Sequence, residues 1–257
     1  MSRLAAAAAV FATLLVSCRP ADAPSPAVRA GAAWNAEPHD LTLLTDRVWT
    51  TLTGAGWQRR DSDRDRIVRD ATAPEAAGTS LEYAYPAGFA GGAAPATHFY
   101  PLGGTREVFV GLELEASRPW QGHASHVNKI QFLLTSNADI MMAMYGPPPG
   151  PYELRVIPQW RENGDAWLTP NAANLPVTLG QWHRVEWYVK YASAPGARDG
   201  IVRWWMDGAL IGDYVGVAFP DDGGFVEYQI SPTWGGVGDR KMENDFMRFA
   251  RSSISAR

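Results

Sequence analysis

The chain has 257 residues, 46% of them hydrophobic and 19% charged, with a net charge of −4. That is enough apolar material for a core and excludes global disorder, and with twenty Arg and three Lys interspersed among 27 acids it leaves no basic tract for general nucleic-acid binding. One cysteine, Cys18, excludes a disulfide framework and any multi-cysteine metal site, and a length near 250 suits one all-β domain.

Arg3 gives a short positive start, and Leu4 to Val16 is apolar or small. This reads as the apolar region of a secretory signal, too short for a membrane span of about 20 residues. Leu15-Val16-Ser17-Cys18 resembles the bacterial lipobox, in which the Cys becomes the lipidated first residue. The resemblance implies a cell-envelope protein anchored to a membrane through Cys18. Arg19 in place of an Asp at the next position leans toward the outer membrane or cell surface. The organisation expected is a signal peptide over 1–17, a Pro/Ala-rich tether over 18–45 and one domain over 46–257. Order is expected to begin between Trp34 and Trp49.

Beyond residue 45 the pattern alternates with period two. Val108, Val110, Leu112 and Leu114 fall on one face of a strand, as do Val185, Trp187 and Val189. Strands are predicted over 81–86, 107–114, 126–134, 138–145, 152–158, 183–190, 201–206, 209–215, 225–230 and 246–254. Asp199-Gly200 and Asp207-Gly208 read as hairpin turns, because both residue types tolerate positive φ. Pro147-Pro148-Pro149-Gly150 reads as a loop. The Arg/Asp run from Arg59 to Asp70 nearly cancels in charge and reads as a solvated loop, with an anionic-sugar patch as the minority reading. Some ten short strands at this spacing predict a sandwich or barrel.

Three segments carry a family likeness: Trp120-Gln121-Gly122-His123-Ala124-Ser125-His126-Val127-Asn128-Lys129-Ile130-Gln131-Phe132, Gly180-Gln181-Trp182-His183, and the hairpin Asp199-Gly200 to Asp207-Gly208. Together with Tyr228 to Gly236 they resemble the concanavalin-like jelly rolls of bacterial polysaccharide lyases, of alginate, glucuronan and heparin types, and the laminin-G-like lectin modules. The resemblance implies an all-β jelly-roll sandwich of two antiparallel sheets, with a groove on one face for an extended polysaccharide or oligosaccharide. It further implies β-elimination on a uronate glycan. That needs a group for the carboxylate, a base for the C5 proton and an acid for the leaving oxygen. Where the alginate-lyase type has Q-I-H, this chain has Lys129-Ile130-Gln131. Where it has Y-F-K-x-G-x-Y, Tyr228 keeps the first Tyr, Ile230 replaces the Lys and Trp234 replaces the second Tyr. Lys129, His126 and Tyr228 are therefore the catalytic candidates. Gln131, Asn128, His123, Trp120 and Trp234 are the substrate-binding candidates. Trp160 and Trp167 are further stacking candidates, since flat rings suit the apolar faces of pyranoses.

On an alternating strand Val127, Lys129, Gln131 and Leu133 share one face, so Lys129 and Gln131 read either as a ligand-facing polar pair or as a buried pair satisfied by a neighbour. Glu113 and Glu115 stand two apart, as in the hydrolase version of the fold, with Cα atoms about 6.5–7 Å apart. A solvent-facing pair explains them as well. His183 reads as structural. No cofactor is expected, and no metal-ligand spacing stands out. A structural Ca²⁺ would draw on Asp221-Asp222-Gly223-Gly224 or on Asp239 to Asp245, although turn chemistry explains Asp221 to Gly224 equally well. No Ser-centred nucleophile elbow or nucleotide fingerprint is present. Three readings stay open: a lipid-anchored glycan binder with lyase activity, a lectin-like module, and an envelope lipoprotein contacting other proteins.

Overall fold

The computed structural model describes residues 34–60, 63–164, 166–220 and 223–257. The signal segment, Cys18 and the tether up to residue 33 lie outside the described residues, as do Asp221 and Asp222. In chain order the strands are β1 (Thr42–Val48), β2 (Gln58–Arg60), β3 (Asp65–Arg69), β4 (Thr79–Tyr85), β5 (Thr97–Thr105), β6 (Glu107–Ala116) and β7 (Val127–Leu134). There follow β8 (Asp139–Tyr145), β9 (Glu153–Pro158), β10 (Trp182–Lys190), β11 (Gly200–Met206), β12 (Ala209–Val217), β13 (Phe225–Ile230) and β14 (Asp245–Ala256). Among the described residues one 3₁₀ turn covers Arg161–Asn163.

One sheet of eight strands runs β12-β11-β10-β6-β14-β4-β3, with β1 also paired to β14. The other, of six, runs β2-β5-β13-β7-β8-β9. This is the jelly-roll sandwich expected. The alternation in β6 and β10 turns Val108, Val110, Leu112, Val185, Trp187 and Val189 into the core. The six-stranded sheet answers with Ile130, Leu133, Ile140, Met142, Phe225, Tyr228 and Ile230.

Several expectations are corrected. Residues 34–45, assigned by composition to the tether, belong to the sandwich. The indole of Trp34 lies on the outer face of the eight-stranded sheet, with Leu41, Phe109 and Tyr188. Gly111 makes room for it, since a Cβ there would stand 2.3 Å from the indole. The Arg59–Asp70 run is not a loop but holds β2 and β3. Among its described residues, Arg59 pairs with the buried Asp65, Arg60 with Glu227, Arg66 with Glu82, and Asp70 with Arg248. Asp207-Gly208 forms the tight hairpin, both residues at positive φ. Asp199-Gly200 does not. Gly200 already lies in β11, and Asp199 instead accepts from the amide of Ser193. The Gly-x-Trp-His element is structural as read: Nδ1 of His183 lies 2.7 Å from Asp207, and Nε2 accepts from the amide of Thr178.

Glu113 and Glu115 lie on the outer face of the eight-stranded sheet inside a lattice of ion pairs. Glu113 is flanked across the strands by Arg184 and Arg251, which are bonded to Glu186 and to Asp46 and Glu75. Burial, reinforced by the Glu75 carboxylate and opposed by Arg251 and Arg184, pushes Glu113 up to about 7. A carboxyl whose folded-state pKa is raised favours folding below its unfolded value and loses that contribution as pH rises through the folded one. The stability of the native protein relative to Glu113→Gln should therefore fall between pH 5 and pH 8, by up to ~3 kcal/mol at about 1.4 kcal/mol per pKa unit. Urea unfolding of both proteins at the two pH values measures this, and a constant difference would contradict it.

Candidate functional site

The outer face of the six-stranded sheet is where the structure gathers accessible polar and aromatic groups over an apolar floor. β8 is apolar on both sides. Ile140, Met142 and Met144 point into the sandwich, whereas Met141 and Ala143 join Ile157 of β9 in a separate buried cluster on the outer face, with Val127 and Phe132 against it. A strand apolar on both faces is one covered on both faces, and the outer cover here is partial. A cleft of about 200 Å³ opens over Met141 and Ile157, edged by Ser125, Lys129, Gln159, Trp167, Gly235 and Gly236.

Lys129 faces this cleft, and a bulge in β7 separates it from Gln131. Lys129 pairs with Ala143 and Gln131 with Met142, so Ile130 has no partner on β8. The extra residue reverses the alternation. Val127, Lys129, Phe132 and Leu134 face outward and are half-buried, while Asn128, Ile130, Gln131 and Leu133 are buried. The expectation that Lys129 and Gln131 share a face is corrected accordingly.

Among the described residues Lys129 has no carboxylate within ion-pair distance of its ammonium. The nearby carboxyl of Asp139 is held otherwise. With the amide of Gln159 oriented to donate, its nitrogen lies 2.9 and 3.1 Å from the two Asp139 oxygens. Burial raises the pKa of Asp139, and the charge of Lys129 opposes that rise.

Beside the cleft stands an aromatic group. Trp167, 44% exposed, meets Tyr145 edge-on at 5.5 Å, and His126 meets the same Tyr145 at 5.9 Å. The Arg155 guanidinium lies 3.7 Å above Tyr145 and is bonded to Glu153. Past Tyr145 a second depression of about 350 Å³ continues along the Pro147 and Pro151 loop to Asn174 and Pro176. Tyr145 is paired with Val127, one diagonal step from the Lys129–Ala143 pair. The two side chains are thus diagonal neighbours on one face, ~7–8 Å apart at their roots.

Of the candidates read from the sequence, Lys129, His126 and Trp167 meet on this face. The others do not: they are buried, and the polar atoms of Tyr228, Gln131, Asn128, Trp120, Trp234 and Trp160 are consumed inside the sandwich. Tyr228 donates to Gln131 at 2.6 Å, and both are fully buried. Burial raises the phenol of Tyr228 well above its ordinary range, so it is a neutral core donor. Asn128 accepts from Trp120 and from the amide of His123, and donates to the carbonyl of Met144. Trp120 and Trp234 are buried with Tyr85 around the ammonium of Lys241, which lies 3.9 Å from the Trp120 ring and 4.9 Å from that of Trp234. Lys241 also bonds the buried Asp245 and the carbonyl of Gln121. Burial lowers Lys241 to about 8, against the opposing pull of Asp245. Trp160 is buried and donates to the carbonyl of Ala218. His123 is buried against Trp234. Among the described residues no group of three or more His, Cys, Asp or Glu is placed to hold a metal ion.

Sequence reasoning missed Tyr145, Asp139, Gln159 and Lys241. Tyr145 had a signal: Met141, Ala143 and Tyr145 are the alternate positions of an all-apolar strand, which marks a sheet covered on both faces. Asp139 meets Gln159 just after the next strand, and the box around Lys241 is closed by Trp120 and the Gln121 carbonyl, far away in sequence.

No protein-family model matches the chain, and neither does any curated protein. Solved structures do. An endo-β-1,4-glucuronan lyase from the fungus Trichoderma reesei superposes with a TM-score of 0.55 at 16% identity, over 79% of this chain and 92% of that one. An alginate lyase superposes with a TM-score of 0.53 at 14% identity, over 69% and 80%. A cellulose-induced protein gives 0.51 at 15%, over 77% and 90%. The likeness shows the concanavalin-like jelly-roll fold.

The buried pair behind the aromatic box gives a test of its role. Removing one member of a buried ion pair strands the other, at ~3–5 kcal/mol. Lys241→Met should destabilise the protein by about that amount, and Lys241→Met with Asp245→Asn by clearly less. A thermodynamic cycle from urea unfolding reads this, and additive effects would mean that the two groups do not depend on each other.

Proposed function

We propose that the protein binds an acidic, uronate-bearing polysaccharide along the outer face of the six-stranded sheet. We propose further that it does so at the cell envelope, held through a lipid on Cys18. The observation that carries the reading is Lys129: a cation without an ion pair among the described residues, beside an exposed indole and above an apolar floor. An apolar pyranose face suits Met141, Ile157 and Trp167, and a uronate carboxylate suits the Lys129 ammonium. The solved structures that share the fold include enzymes named for glucuronan and alginate, which supports the same polymer class here.

A charge-assisted hydrogen bond is worth about 1.5–3 kcal/mol. Lys129→Ala should therefore weaken binding of uronate oligomers roughly 10- to 100-fold with the circular dichroism spectrum unchanged. Native binding should also weaken as salt rises, because part of the cleft is open to solvent. Calorimetric titration with alginate, glucuronan, heparin-type and pectic oligomers provides the measurement. Equal affinity of the Lys129→Ala protein for every ligand would remove Lys129 from the site.

A second reading, β-elimination, is favoured by the placement of Tyr145 beside Lys129. Lys129 in its amine form would take the C5 proton, the C4–O bond would break as the C4=C5 bond forms, and the Tyr145 hydroxyl would give its proton to the leaving oxygen. A rise in the ultraviolet absorbance of unsaturated uronate on one polymer, lost in Tyr145→Phe while binding persists, is the expected result. A flat trace on all four polymers with binding intact would make this a binding module.

A further inference from the structure

Lys129 shares its row with a second cation. It pairs with Ala143 of β8, and Ala143 pairs with Arg155 of β9. The alternation in β9 sends Leu154 and Val156 into the core, so Arg155 stands half-buried on the outer face, as Lys129 does. Two cations thus lie in one row across three strands, with the methyl of Ala143 between them. Their roots are ~9.5 Å apart, twice the spacing of neighbouring strands. The Tyr145–Trp167 pair joins the two hollows beside this row. Trp167 edges the cleft that Lys129 lines, and Tyr145 edges the depression that Arg155 lines.

Arg155 is held firmly but engaged on one side only. Its Nε donates to Glu153 at 2.5 Å, and its guanidinium lies over Tyr145. Among the described residues neither of its terminal nitrogens has a hydrogen bond. Two arginines on the other sheet show a guanidinium in full use. Arg248 bonds both Glu82 and Asp70, and Arg251 bonds both Asp46 and Glu75. Each of these holds two carboxylates, whereas Arg155 holds one. Glu153 and the Tyr145 ring fix the plane of its guanidinium. The open edge of a planar fork so oriented is preset for a second carboxylate.

We propose that Arg155 is a second carboxylate reader of the glycan site, so that the protein selects chains with a uronate at every second sugar. The inference rests on the reading of Lys129 as the first. The glycan crosses β7, β8 and β9, with one uronate at Lys129, the next sugar over the Tyr145–Trp167 edge and another uronate at Arg155. In an extended chain of 1,4-linked pyranoses successive rings turn over, so carboxyl groups point to the same side only on alternate sugars. Those groups are separated by the length of a disaccharide, and the row of two cations matches that length. A carboxyl on the middle sugar points away from the sheet and is not read. A pure uronan and a copolymer that alternates uronate with a neutral sugar therefore bind alike. A lone uronate in a neutral chain meets one cation only.

The full chain is titrated calorimetrically with trisaccharides of 1,4-linked hexoses, in gluco and manno series. They carry carboxyl groups on all three rings, on both end rings, or on one end ring. The first two should bind equally. The third should bind roughly 10- to 100-fold more weakly, the worth of one charge-assisted hydrogen bond. In Arg155→Gln the trisaccharides with two end carboxyls and with one should bind alike. A variant that merely distorted the sheet would weaken both and keep their ratio. Glu153→Gln combined with Arg155→Gln removes the ion pair as a unit and should give the same loss of discrimination, so a stranded Glu153 is not its cause. Discrimination that survives in both variants overturns the second reader and leaves the glycan reading standing. Affinity that rises with the middle carboxyl overturns the alternate spacing. Failure of every trisaccharide to bind the native protein overturns the glycan reading, and this inference with it.

Discussion

Ile130 stands in β7 without a partner on β8, and the position of every later side chain in that strand follows from it. Without the bulge, Lys129 and Gln131 would lie on one face. With it, Gln131 enters the core and meets Tyr228, while Lys129 stays outside over Met141 and Ile157. The separation resolves an energetic conflict. A buried ammonium beside an amide costs several kcal/mol unless it is fully paired, whereas a buried amide with a phenol donor is satisfied. The bulge thus gives the interior the polar group it can satisfy and leaves the charged one at the cleft.

The same sorting recurs through the molecule. Three polar groups that enter the interior come with partners: Gln131 with Tyr228, Lys241 with Asp245 four residues on and inside an aromatic box, His98 with Tyr83 and Asp65. The outer face of the eight-stranded sheet solves the problem differently, with arginines interleaved between carboxylates. Burial, with the Glu75 carboxylate adding to it, is why Glu113 holds its proton above the usual carboxylate range. That face is committed to its own ion pairs, and the Trp34 segment is seated on it. The outer face of the six-stranded sheet carries, among the described residues, a cation without an ion pair and an exposed indole.

Much of the architecture was legible because it rests on local pattern. The alternation in β6 and β10 names its inward residues, and the Asp207-Gly208 turn names its hairpin. The edge strands were not legible. β2 and β3 lie in a charged run whose stability comes from carboxylates elsewhere in the chain, such as Glu82 and Glu227. The site was legible in part. Lys129 and His126 were found by likeness to a motif, but Tyr228, Asn128, Trp120 and Trp234 were placed in the cleft because sequence cannot show which way an aromatic or an amide turns. Their neighbours decide that, and the neighbours are up to 113 residues away, as with Trp234 and the carbonyl of Gln121. The bulge itself left no sequence mark, since Ile130 is an ordinary strand residue.

One consequence joins the two faces. Trp34, where the described chain begins, is clamped on the back of the sandwich. The guanidinium of Arg184 lies 4.7 Å from its ring, and the amide of Ala36 donates to Glu186. Gly111 is small so that the indole can lie flat against the sheet. The cleft over Met141 and Ile157 lies on the opposite outer face of the sandwich. The Trp34 segment, seated against Phe109 and Tyr188 on the back, therefore leaves it uncovered.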